Sequence, residues 1–76
     1  MKAIEATLER ADGEVVYLYI RKHGEQTFRL CRGKGGSVTV DTWDYKKLGL
    51  ALNRFYYFIG FYIYEKGFTM TARPYV

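Results

Sequence analysis

Covalent chemistry has few candidates in this chain: one thiol, Cys31, and one imidazole, His23, among 76 residues. A cysteine nucleophile needs its base within about 3 Å. His23 falls in the turn-forming triplet His23-Gly24-Glu25, and Cys31 lies four positions along the next strand pattern, opposite Tyr17. That spacing separates the pair by about 13 Å or more. Cys31 therefore reads as a strand thiol and His23 as a solvated turn residue. One His and one Cys do not make a metal site. Glu5 and Glu9 flank Thr7 on one strand face, roughly 13 Å apart, too far for the paired-carboxylate work of a glycosidase. The stretch Arg32-Gly33-Lys34-Gly35-Gly36 lacks the spacing of a phosphate loop and leads into a strand pattern, where such loops lead into a helix. The chain is read as a non-enzyme with no catalytic residue, no metal, no cofactor and no small-molecule substrate.

The elements that position these groups follow from period. Ile4, Ala6 and Leu8, then Val16, Leu18 and Ile20, then Phe28 and Leu30, then Val38 and Val40 are all even-numbered, and strict alternation is the strand signal. Turn formers separate the runs at Ala11-Asp12-Gly13, His23-Gly24-Glu25 and Gly33-Lys34-Gly35. Residues paired across antiparallel strands share a face, so three-residue loops are expected. They pair Leu8 with Val16, Ile20 with Phe28, Leu18 with Leu30, and Leu30 with Val38. The expectation is a four-stranded antiparallel meander whose even side is buried.

Asp41 then reads as a helix N-cap, and Tyr45, Leu48, Leu52, Phe55 and Ile59 as one helical face lying on the even side of the sheet. Gly60 is placed to end the helix, with Phe61 to Tyr64 and Phe68 to Thr71 as a second hairpin. Seven of the ten residues 55–64 are aromatic, a composition that also favours strand, so an earlier helix end near Arg54 stays open. The class is α+β: an antiparallel meander, one main helix packed on one face, and a C-terminal hairpin or strand.

Length and composition bound the rest. Seventy-six residues with 49% apolar and 26% charged side chains describe one folded unit, residues 1–76, with no second domain and no disordered tract. A single cysteine and no apolar leader favour a reducing cytoplasm over secretion. The apolar stretch 48–64 carries Asn53 and Arg54 near its middle and is shorter than the ~20 residues a membrane helix needs, so no membrane association is expected.

Two surfaces carry the functional expectations. The net charge of +4 is concentrated: Arg21, Lys22, Arg29, Arg32 and Lys34 stand against Glu25 alone over residues 21–34. The odd face of the sheet interleaves Tyr17, Tyr19, Arg21 and Arg29, with Tyr19 expected opposite Arg29. Rings and guanidinium groups on an open sheet can stack bases and neutralise phosphates. Tyr17, Tyr19, Arg21, Arg29, Arg32 and Lys34 are the expected contacts to single-stranded nucleic acid or a nucleoprotein complex. The second surface is the side of the helix away from Leu48 and Leu52, where Lys47, Leu50, Arg54 and Tyr57 form an interface-like mixture. It would serve an inhibitor or adaptor of the kind carried by phages and mobile elements, docking on a protein partner or on a second copy of the chain.

Overall fold

The computed structural model describes residues 4–35 and 38–72. Lys2, Gly36 and Tyr75, and the side chains of Val38, Thr39, Val40 and Ala72, lie outside the described residues. The chain forms β1 (Ile4–Glu9), β2 (Val15–Lys22), β3 (Phe28–Lys34), β4 (Val38–Tyr45), the helix α1 (Leu48–Gly60), a π-helical turn over Phe61–Glu65, and β5 (Thr69–Ala72). One antiparallel sheet has the order β4-β3-β2-β1-β5. The helix packs on one of its faces, so the fold is α+β as the pattern predicts. Among the described residues no helix is long and apolar enough to cross a membrane.

The even side of the first three strands is the core. Ile4, Ala6, Leu8, Val16, Leu18, Ile20 and Leu30 are buried against Ala51, Phe55, Ile59 and Tyr62 from the helical segment. Burying a side chain of this size stabilises the fold by about 1.5–3 kcal/mol. The first hairpin has the predicted loop: Leu8 pairs with Val16, and Arg10 and Glu14 close residues 11–13. Gly13 there has φ 93°, a conformation that other residues adopt with strain.

The second and third hairpins differ from expectation in register. Phe28 pairs with Lys22, and Leu30 with Ile20, two residues further on than predicted. The three-residue loop is Gly24-Glu25-Gln26, closed by the His23 N–H donating 2.7 Å to the Thr27 carbonyl. A shift of two residues preserves parity, so the core face is unchanged. Tyr19 therefore stands opposite Cys31, and Arg21 opposite Arg29.

The larger correction is in β4. Gly33 pairs with Thr39 but Arg32 pairs with Asp41, which leaves Val40 as an extra residue, a β-bulge. Beyond it the parity switches: Leu30 pairs with Trp43 rather than Val38, and Phe28 with Tyr45. Asp41 is consequently a strand residue and not a helix N-cap, and Tyr45 is not on the helix. Thr42, Trp43 and Tyr45 are good strand formers, and Asp41 gains an Arg32 partner across the ladder. The helix starts after Lys47, which makes no side-chain cap bond.

α1 ends at Gly60 as the sequence predicts, but Gly60 makes no turn. It keeps right-handed helical angles (φ −60°, ψ −44°), and the chain continues through the π turn, which buries Tyr62. The stop comes at Gly67 (φ 74°), where the Phe68 N–H donates 2.9 Å to the Tyr62 carbonyl. Phe61 to Tyr64 is thus helical, and β5 pairs with β1 instead of forming a hairpin with it. Phe68 is buried beneath this junction, and the Arg10 guanidinium lies 5.0 Å from its ring centroid.

Candidate binding surfaces

The side of the sheet opposite α1 carries the odd positions of β1 to β3. Glu5, Tyr17, Arg21 and Arg29 share this face with Tyr19, and Thr42 and Asp44 join it from β4 after the parity switch. Gly33 has no side chain to place opposite Tyr17, and a cleft of about 460 Å³ is lined there by Glu5, Thr7, Tyr17, Tyr19 and Gly33. Tyr17 is half exposed, at 36%. Cys31, between Tyr19 and Thr42 in the ladder, is fully buried.

The cations of this face are fewer than the sequence count implies. Arg29 grips Asp44 with two parallel bonds, Nε to Oδ1 at 2.8 Å and Nη2 to Oδ2 at 3.1 Å. The Arg29 hydrogen bond holds the Asp44 carboxyl below its usual value, and the same bond raises Arg29. Among the described residues the face holds Glu5, Glu9 and Asp44 against Arg21 and Arg29, an excess of one negative charge. Phosphate has little to gain here.

Arg32 is not on this face at all. Its even position turns it toward α1, where Nε donates 2.9 Å to Asp41 Oδ2 and Nη2 donates to the same oxygen. Nη1 donates 3.1 Å to the Tyr62 hydroxyl, and the guanidinium lies 5.5 Å from the Trp43 centroid and 5.6 Å from that of Phe58. Partial burial pulls the Arg32 pKa down, but Asp41 and Tyr62 outweigh it and keep the group raised and charged. Arg32 is thus a seam between bulge, sheet and helix. Lys34 sits at the exposed β3–β4 tip, opposite Val38. The six side chains expected to meet nucleic acid are therefore split between one face, the interlayer seam and a hairpin tip.

The four expected on the helix stay together. Lys47, Leu50, Arg54 and Tyr57, spaced by 3, 4 and 3 residues, line up on the outward side of α1. Leu50 is 51% exposed and Tyr57 59%. The Arg54 guanidinium lies 5.5 Å from the Tyr57 ring centroid. Because the helix runs on through Gly60, Phe61 and Tyr64 extend the stripe at the same spacing, with Tyr64 85% exposed. Two shallow grooves meet at Tyr57, one lined by Tyr45, Leu50, Asn53 and Arg54, the other by Tyr56, Gly60, Phe61 and Tyr64. Lys66 adds a cation 5.5 Å from the Phe61 centroid. Continuing the 3–4 spacing past Gly60 would have found these residues from sequence.

Charge on this side is predominantly positive. Lys46, Lys47, Arg54 and Lys66 face only Glu65, and none of the four cations makes an ion pair among the described residues. Lys46 and Lys47 stand at the positive end of the helix dipole with no acid in the first turn, an arrangement that costs stability. Compared with protein-family models, with curated proteins and with solved structures, the chain has no match in any of the three.

Proposed function

We propose that this chain is a small non-catalytic binding protein that docks the outward stripe of α1 and its π turn on the acidic surface of a partner protein, acting as an inhibitor or adaptor. The observation that carries this reading is the exposure of Leu50, Tyr57 and Tyr64 above a core that is already complete beneath them. Tyr, Arg and apolar groups around shallow grooves are what desolvated interface centres use. The excess of cations, two of them at the unfavourable end of the helix, selects an acidic partner and speeds its encounter.

Affinity capture from the source cell, with and without nuclease, tests this. Capture should survive nuclease, fall by about tenfold or more with Arg54→Ala or Tyr57→Ala, and persist with Tyr19→Ala. Release by nuclease, together with loss on Tyr19→Ala, would instead identify the sheet face as a single-strand platform.

A further inference from the structure

The molecule itself carries a surface of opposite sign to the outward stripe of α1: the open sheet face, with an excess of one negative charge among the described residues. We infer that the chain associates head to tail, the stripe of one copy seated on the open sheet face of the next. This rests on the docking surface proposed above and names its occupant.

Charge decides the pairing mode. Two helix stripes face to face would set Lys46, Lys47, Arg54 and Lys66 against the same four cations, and two sheet faces would each bring an excess of one negative charge among the described residues. Stripe on sheet opposes unlike charges, so the heterologous contact is favoured over either symmetric one. The spacing agrees as well. Lys47 and Arg54 are seven helical residues apart, about 10.5 Å along the axis. Glu5 and Glu9 are four strand residues apart, about 13 Å. Long Lys and Arg side chains bridge the difference. Beside Glu5 and Thr7 lies the cleft lined by Tyr17, Tyr19 and Gly33, where an entering guanidinium meets aromatic rings as well as Glu5. Arg21, two residues beyond Tyr19 on β2, makes no ion pair among the described residues. It steers the incoming cations to the β1 side.

In this two-layer fold the stripe and the open sheet face point in opposite directions. A contact between them leaves one free surface of each kind at the ends, so the product is an open stack rather than a closed dimer.

Light scattering and sedimentation velocity on the full chain test this with two charge-reversed variants, Lys47→Glu with Arg54→Glu, and Glu5→Lys with Glu9→Lys. All four positions are exposed, and circular dichroism checks that each variant is folded. The wild type should grow in mass with concentration and shrink as salt rises. Each variant alone should be monomeric, having one blunted surface. Their equimolar mixture should assemble again, because the unaltered stripe meets the unaltered sheet face and the two reversed surfaces also oppose unlike charges. A wild type monomeric up to millimolar concentration at low salt, a mixture that stays monomeric, or undiminished assembly of the Glu5→Lys, Glu9→Lys variant would overturn the inference. If the wild type is monomeric yet still captures a protein partner through Arg54, the docking stripe stands and only self-assembly fails. If Arg54→Ala leaves capture intact, the stripe itself is misassigned.

Discussion

On the open sheet face Arg29 is held by the carboxylate of Asp44 across a strand pair, whereas on α1 Arg54 has the Tyr57 ring beside it and no acid partner among the described residues. Both surfaces are built from tyrosine and arginine, yet they end with opposite charge. The cause is neighbourhood. A strand residue meets partners from a distant part of the chain, and β4 brings Asp41 and Asp44 to Arg32 and Arg29. A helix surface meets its own i±3 and i±4 neighbours, and from Lys46 to Tyr64 the sequence contains no acid. Charge counted along a segment therefore predicts surface charge on the helix and fails on the sheet.

The strongest way to break this comparison is to open the seam between the layers. Arg32→Ala removes the partner of Asp41, the donor to Tyr62 and the cation beside Trp43 and Phe58, and should cost about 2 kcal/mol in urea unfolding. Arg32→Lys keeps the charge but lacks the planar fork, and should recover only part of that loss. A change within experimental error for Arg32→Ala would mean that bulge and helix hold each other without it.

Gly60 offers a test of opposite sign. Its backbone is helical, and a Cβ there would meet nothing within 4 Å. Gly60→Ala should raise stability by about 0.5–1 kcal/mol while narrowing the groove between Tyr56 and Tyr64. Tighter folding with weaker partner capture would show that the groove is used. Unchanged capture would confine docking to the Lys47–Tyr57 end.

The smallest effect belongs to the sheet-face ion pair. Asp44 is depressed below its usual 3.8 by the Arg29 hydrogen bond. Its contribution is therefore present above that unfolded value and lost as pH falls through the lower folded one. Asp44→Asn should melt below the wild type near neutrality, and the gap should close as pH is taken down to about 2. A gap independent of pH would show that the pair adds nothing through its charge.

Much of the fold was legible because alternation is a local signal. Ile4 through Leu30 declared the buried side, and parity survived a two-residue error in the β2–β3 register. The bulge at Val40 was not legible, since an extra residue in a strand leaves no mark on composition. Missing it turned Asp41 into a cap and moved Tyr45 onto the helix. The π turn was hidden for a related reason: Gly60 and the rings after it look like a stop followed by a strand, and only burial of Tyr62 under the sheet carries the helix on. Among the candidate residues, the shared outward side of Lys47, Leu50, Arg54 and Tyr57 was legible because helical spacing is intrinsic to the segment. The ion-pair partners of Arg29 and Arg32 were not legible because they arrive from β4.

Lysine acylation of the chain in its native complex tests the central claim most directly, because the helix stripe and the basic segment 21–34 both carry lysines in one molecule. Lys46, Lys47 and Lys66 flank the helix stripe, while Lys22 and Lys34 lie at the β2 and β3 ends. The account predicts that complex formation protects Lys47 and Lys66 and leaves Lys22 and Lys34 as reactive as in the free chain. Protection of Lys22 and Lys34 with Lys47 and Lys66 unchanged would contradict it.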